Sequence, residues 1–151
     1  MRDMMQFAQN RRARHDYEIL ETFEAGLVLV GTEVKSVRQG KASLAESYAR
    51  VKNNEIWLVN CHIHPYEQGN RFNVDPRRDR KCLLHKKEIQ RLIGKVEEKG
   101  MTLIPLALYL KNRAIKLSLG LGKAKKHYDK RRDIKEKDVK RQIAQAVKTR
   151  P

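Results

Sequence analysis

Two short asparagine-containing turns, each between apolar segments, restrict the possible folds of this chain more than any other feature. The first turn, Asn53-Asn54, separates residues 47–51 from residues 56–63, which are rich in strand-forming side chains. Asparagine tolerates a positive φ angle, which a tight connection between antiparallel strands requires. The segment therefore predicts a β-hairpin.

The second turn predicts another hairpin near the end of the apolar region. Asn112-Arg113 separates residues 102–111 from residues 114–119. Within residues 114–119, apolar side chains alternate with Lys116 and Ser118. A period of two is typical of a strand with one buried and one solvent-exposed face.

Further elements complete a mixed pattern. Strands are predicted at residues 17–23 and 25–30, and helices at residues 33–39 and 85–99. In the longer helix, Ile89, Leu92, Ile93 and Val96 form one apolar stripe, and Gly100 occupies the expected C-cap position. Gly40 ends the shorter helix.

These elements indicate a mainly β, α+β fold. We predict an oligonucleotide-binding (OB) type antiparallel β-barrel of about six strands, with two or three flanking helices and a basic C-terminal tail. A closed barrel is favoured because closure leaves no exposed strand edges. The OB type suits five or six short antiparallel strands.

Charge divides the chain into three zones: a basic N-terminal segment at residues 1–16, a folded body at 17–121 and a flexible tail at 122–151. The formal net charge is +16. Residues 121–151 hold twelve Lys and Arg against four Asp and Glu, which is half of that excess. Asp133 and Glu136 have capping-box spacing, so we expect the tail to become helical on a partner. The alternative is a permanently solvated end.

Composition favours a nucleic-acid partner over a membrane. No apolar run approaches the roughly 18 residues of a spanning helix, and the first residues lack a signal-peptide core. Cys61 and Cys82 do not make a disulfide framework, so we expect free thiols and a cytoplasmic location. A strongly basic chain of this kind is typical of binding to phosphates.

Two clusters mix cationic and ring side chains as RNA-binding proteins commonly do. The first contains Arg11, Arg12, Arg14 and His15 beside Tyr17. The second interleaves His62, His64, Tyr66 and Phe72 with Arg71, Arg77, Arg78, Arg80 and Lys81. Cations neutralise phosphates while rings stack on unpaired bases. RNA binding is therefore predicted, and a general RNA chaperone or ribosomal protein stays an alternative.

Patterns for metal binding or catalysis are weak, so we predict no enzyme, no metal and no cofactor. Cys61-x-x-His64 and Cys82-x-x-His85 have ligand types suited to zinc, but strand positions three apart face opposite sides. Glu33-x-Lys35 resembles half of a metal-dependent nuclease motif without its partner acid. No nucleophile elbow or phosphate loop is present.

Several segments, in order along residues 10–148, resemble the SmpB (small protein B) family. They are Asn10 to Tyr17, Glu21 to Gly26, Gly31 to Ala42, Pro65 to Asn70, Asp75 to Arg77, Arg80-Lys81 and Lys125 to Arg131. The resemblance implies an OB-type barrel that binds the tRNA-like domain of transfer-messenger RNA. It also implies delivery of that RNA, with elongation factor Tu as an indirect partner, to the vacant A site of a stalled ribosome. The tail would enter the decoding centre and the empty mRNA channel.

The resemblance also implies roles for individual residues. RNA binding falls to Asn10, Arg11, Arg14, His15, Glu24, Leu83, His85 and Lys116. Function on the ribosome falls to Lys123, Lys125, Lys126, Tyr128, Asp129, Lys130 and Arg131. Two positions depart from the family: Ala124 stands where glycine is frequent, and His85 where asparagine is frequent.

Overall fold

The computed structural model describes residues 5–125, apart from the side chain at position 70, and antiparallel strands dominate this region. The strands are β1 (Met5–Gln9), β2 (Tyr17–Leu27), β3 (Ala42–Ser43), β4 (Tyr48–Lys52), β5 (Glu55–Val59), β6 (His62–Ile63), β7 (Arg80–Leu83), β8 (Thr102–Lys111) and β9 (Ala114–Ala124). The helices are α1 (Ala13–Asp16), α2 (Gly31–Arg38) and α3 (Lys86–Lys99), with a 3₁₀ helix at Glu67–Phe72.

Seven strands form one antiparallel sheet in the order β1-β8-β9-β2-β7-β5-β4, and β3 pairs separately with β6. The edge strand β4 also contacts β8, which lies next to the opposite edge. The sheet is therefore curled, because its two ends could not otherwise meet. This architecture confirms the predicted OB-like α+β fold.

Both predicted hairpins are present, and their turns explain the choice of asparagine. Asn53 and Asn54 have φ angles of 53° and 58°, and Asn112 and Arg113 have 50° and 63°. Two consecutive positive φ angles characterise the turn whose twist matches that of the flanking strands. The pairs β4–β5 and β8–β9 follow directly from these turns.

The structure differs from the predicted elements at three places. Residues 17–23 and 25–30 were predicted as two strands, but β2 is a single strand that ends at Leu27 and pairs with β9 from Tyr17 to Gly26, with a register shift between Ile19 and Glu21. Three strands, β1, β3 and β7, were not predicted, because all are short and contain polar residues. The last strand, β9, extends to Ala124, three residues beyond the predicted end of the body.

The predicted helices are confirmed, with α3 the more important for the site. The backbone N–H of His85 donates to the Glu88 carboxylate at 3.2 Å, which satisfies one free donor at the start of α3. Gly100 ends the helix with φ 62°. Ile89 and Leu92 are buried in the core, so the apolar stripe packs on the sheet and fixes the N-terminus of α3 beside β7.

Candidate nucleic-acid interface

An open cleft lies where β7, β2 and β9 run side by side and α3 begins. Its volume is about 490 Å³, and it is lined by Glu24, Gly26, Leu83, Leu84, His85, Glu88 and Lys116. Four residues predicted to bind RNA, Glu24, Leu83, His85 and Lys116, thus meet in one place. Glu24 lies 59 positions before Leu83, and His85 lies 31 positions before Lys116, so only the sheet brings these segments together.

The floor of the cleft is Gly26, which pairs with Leu83 on one side and Lys116 on the other. A Cβ atom at Gly26 would lie 3.3 Å from Leu83 Cβ and 3.8 Å from Lys116 Nζ. The absence of a side chain therefore keeps the space between these two residues open. Leu83 is 50% exposed, which leaves an apolar surface beside a positive charge.

Lys116 brings a positive charge to the cleft, and this charge is one of the smaller causes that lower the pKa of Glu24. Within residues 5–125, its Nζ atom forms no hydrogen bond or ion pair. By contrast, neighbouring Lys111 lies 3.0 Å from the Glu24 carboxylate. An unpaired, half-buried ammonium can accept a phosphate without first breaking an internal contact.

Glu24 is held in place by two groups that the sequence did not identify. The Tyr109 hydroxyl donates to Glu24 Oε2 at 2.8 Å, and Lys111 Nζ donates to the same oxygen at 3.0 Å. These hydrogen bonds, with that of Tyr109 first, lower the pKa of Glu24. Burial, and then the bond to Glu24, raise the pKa of Tyr109. Tyr109 and Lys111 are two positions apart on a predicted strand, so their side chains lie on the same face. This spacing was the signal from which the sequence could have identified them as a pair.

The remaining predicted RNA-binding residues lie at the other end of β2. Arg11 and Arg14 are exposed, and His15 is half-buried on or beside α1, which directly precedes Tyr17. Seven strand positions, roughly 23 Å at the usual rise per residue, separate Tyr17 from Glu24. The structure therefore places this group outside the cleft.

Asn10 belongs to the framework of that N-terminal group. Its side-chain amide donates to the Pro105 carbonyl at 3.0 Å, and its backbone N–H donates to the Leu106 carbonyl at 2.8 Å. These bonds anchor the chain on β8 just before α1 begins. Asn10 can thus orient the exposed arginines that follow it.

Most of the cations in the second predicted cluster are paired within the protein. Arg78 and Arg80 both bind the Glu33 carboxylate, with Arg80 Nε 2.7 Å from Oε2. Arg77 donates to Asn60 and Glu46, and Lys81 lies 3.7 Å from Glu55. Their predicted contact with RNA is therefore disfavoured, and for Arg80, which is fully buried, it is wrong.

Glu33 is a structural carboxylate. Burial raises its pKa, but the hydrogen bonds from Arg78, the Val30 N–H and Arg80 outweigh that effect, so the pKa of Glu33 is lowered. Both carboxylate oxygens are occupied by guanidinium groups. This arrangement does not favour the nuclease alternative, which requires Glu33 to hold a metal ion.

The cysteines are both free and buried, and burial raises their pKa values, to about 11 for Cys61 and about 12 for Cys82. Such thiols are mostly protonated at neutral pH and are poor ligands. Within residues 5–125, no group of three or more His, Cys, Asp or Glu side chains is arranged to hold a metal ion.

The structure places two of the seven predicted tail residues. Lys123 lies in β9, opposite Glu18, and the Lys125 N–H donates to the Asp16 carbonyl at 2.9 Å. The other five, Lys126, Tyr128, Asp129, Lys130 and Arg131, lie outside the described residues, as does the predicted capping box. Among the helices that are described, none is long and apolar enough to cross a membrane.

Comparison with known proteins gives consistent matches over nearly the whole chain. A protein-family model described as SmpB protein matches residues 7–149. Curated SsrA-binding proteins from Bacillus cytotoxicus and Alkaliphilus oremlandii are 60% and 61% identical over 143 residues, 95% of this chain and 92% of each relative. A solved structure described as "tmRNA-SmpB: a journey to the center of the bacterial ribosome" is 57% identical, with a TM-score of 0.65, covering 87% of this chain and 92% of its own.

Proposed function

The chain belongs to the SmpB family, and from this premise we propose that it binds the tRNA-like domain of transfer-messenger RNA (SsrA) and delivers that RNA to stalled ribosomes for trans-translation. The partners are this RNA and the ribosome, with elongation factor Tu an indirect one. The tail enters the decoding centre and the vacant mRNA channel. The protein works in the cytoplasm, through binding and without catalysis.

The cleft is the observation that carries the proposal. It combines an unpaired ammonium on Lys116, an exposed apolar surface on Leu83 and an ordered carboxylate on Glu24. Lys116 can bind a phosphate, Leu83 can pack on a sugar or base, and Glu24 can accept from a base amino group or a ribose hydroxyl. Together these contacts distinguish a folded RNA surface from an arbitrary polyanion.

A binding measurement with Lys116→Ala tests this assignment. The full chain is titrated against a labelled tRNA-like domain of transfer-messenger RNA at several salt concentrations. We expect roughly tenfold weaker binding, because a hydrogen bond to a charged group contributes about 1.5–3 kcal/mol. The slope of log affinity against log salt should also fall by about one, the value for one lost phosphate contact.

Lys99→Ala is the matched control, since it removes an equal charge from the exposed C-terminal end of α3. Its affinity should stay within about twofold of the parent chain. Equal losses in both variants would show that only total charge matters. A parent chain that binds arbitrary duplex RNA as tightly as the tRNA-like domain would favour the general RNA chaperone instead.

A further inference from the structure

A second surface with the features of an RNA contact lies outside the cleft. It consists of Lys35 on α2 together with Tyr66, Arg71 and Phe72 on and beside the 3₁₀ helix, and we call it the Phe72 surface. None of its residues lines the cleft. Phe72 is 66% exposed, more than any other large hydrophobic side chain within residues 5–125.

The exposed ring stands on an ordered backbone. The Thr32 hydroxyl donates to the Phe72 carbonyl at 3.3 Å. The Asn73 amide bridges both backbone groups of Tyr66, accepting from its N–H at 2.9 Å and donating to its carbonyl at 2.8 Å. At Gly69, a Cβ atom would lie only 2.9 Å from Thr32 Cγ2, so the 3₁₀ helix packs closely on α2. The backbone that carries the exposed Phe72 ring is thus held against α2.

Cations lie beside both rings of the surface. The Arg71 guanidinium is 5.1 Å from the centroid of Phe72, and Lys35 Nζ is 5.3 Å from the centroid of Tyr66. Neither cation has an acidic partner among the described residues, whereas Arg77, Arg78 and Lys81 of the same predicted cluster do. A ring with adjacent unpaired cations suits an unstacked base flanked by phosphates.

We propose that the Phe72 surface binds an unpaired base of ribosomal RNA, with the base stacked on Phe72 and the adjacent phosphates near Arg71 and Lys35. This inference rests on the proposed function, which requires contacts to two RNAs at once. The cleft is assigned to transfer-messenger RNA, and no residue of the Phe72 surface lines it, so we assign that surface to the second RNA.

Cross-linking identifies the partner directly. Phe72 is replaced by the photoreactive residue p-benzoylphenylalanine, and the full chain is bound to transfer-messenger RNA and to stalled ribosomes before irradiation. The expected product is a cross-link to ribosomal RNA. A cross-link formed only to transfer-messenger RNA, or only to a ribosomal protein, would overturn the proposal.

Substitutions test the stacking interaction. Phe72→Ala should weaken binding of the protein–RNA complex to stalled ribosomes by about tenfold, within the range for loss of one stacked base. Phe72→Trp should restore it, whereas Phe72→Leu should not, because leucine keeps an apolar contact without a stacking face. If Leu restored binding as well as Trp, the contact would be an apolar one and the proposal would be wrong.

Two controls separate this inference from the proposed function. Tyr48→Ala removes another exposed ring, and it should leave ribosome binding unchanged. Affinity for the tRNA-like domain should be unchanged in Phe72→Ala. If the parent chain did not bind that domain, the proposed function would fail. If it did, and Phe72→Ala bound ribosomes like the parent, only the Phe72 surface would be rejected.

Discussion

At the scale of single residues, the least expected feature is the ionic cluster around Glu33. Its carboxylate lies between Arg78 and Arg80, and the Arg80 guanidinium also donates to the carbonyls of Cys61 and Pro76. Within residues 5–125, Arg80 is the largest of the fully buried side chains. The cluster joins α2 to β7 and so fixes the strand that supplies Leu83 to the cleft.

Glu33→Gln should therefore lower the free energy of unfolding by about 3 kcal/mol, because it leaves a buried positive charge without its counterion. The amide is nearly isosteric, so lost packing does not account for the effect. Urea unfolding at neutral pH measures it. Glu46→Gln is the matched control, since the Glu46–Arg77 pair is exposed and its loss should cost less than about 1 kcal/mol. Equal losses would contradict the structural role of the buried cluster.

The same carboxylate predicts a dependence of stability on pH. The folded-state pKa of Glu33 lies below its ordinary value of 4.5. Its contribution is therefore complete above about pH 4.5 and is lost as the pH falls through the lowered, folded-state pKa. Urea midpoints of the parent chain and Glu33→Gln should differ widely at pH 7 and converge on acidification. A constant difference down to pH 3 would show that protonation of Glu33 is not involved.

At the scale of elements, local signals predicted well and nonlocal pairing did not. The hairpins could be predicted because their turns need residues such as Asn54 and Asn112 that tolerate positive φ. The helix α3 could be predicted from its apolar stripe and Gly100, whereas the end of α2 was indicated by Gly40. In contrast, β7 pairs with β2 and β5, more than twenty positions away, and its polar residues concealed it.

The residues of the cleft were predicted, but the cleft itself was not. Family resemblance identified Glu24, Leu83 and Lys116, but their proximity depends on the order of strands in the sheet. Lys111 and Lys116 both lie on the β8–β9 hairpin. Periodicity alone could not show that Lys111 forms an ion pair with Glu24 and that Lys116 does not. That difference depends on the position of the Glu24 carboxylate, which only the folded sheet determines.

Two glycines allow a test of how closely the elements pack. At Gly122 in β9, a Cβ atom would lie 2.1 Å from the Glu18 carbonyl oxygen of β2, where a β-bulge interrupts the register. Gly122→Ala should cost roughly 2 kcal/mol or more, because backbone must move. Gly94→Ala, in α3 with nothing within 4 Å, should stabilise the chain by about 0.5–1 kcal/mol. Thermal unfolding of both variants measures these effects, and equal shifts would contradict the close approach at Gly122.

At the scale of the whole molecule, positive charge is distributed between two parts with different apolar content. Residues 17–121 contain nearly all the core and the cleft, while the last thirty-one residues hold half of the excess charge. Attraction of this kind speeds encounter with any RNA and confers no selectivity by itself. If the proposed site is correct, selectivity comes from side chains held by the sheet, such as Glu24 and Leu83, which lie on paired strands within residues 5–125.

This division predicts different results for two truncated chains. A chain ending at Lys125 keeps every β2–β9 pair and the bond from the Lys125 N–H to the Asp16 carbonyl. It should bind the tRNA-like domain within about threefold of the full chain, since the removed charges act mainly through screened, long-range attraction. In a reconstituted translation system, it should fail to support tagging of the nascent chain on stalled ribosomes.

A chain ending at Gly122 also loses the pairs of Lys123 with Glu18 and of Ala124 with Tyr17, so its unfolding midpoint should be lower. A tenfold loss of RNA affinity in the chain ending at Lys125, with unchanged stability, would show that the tail takes part in RNA recognition.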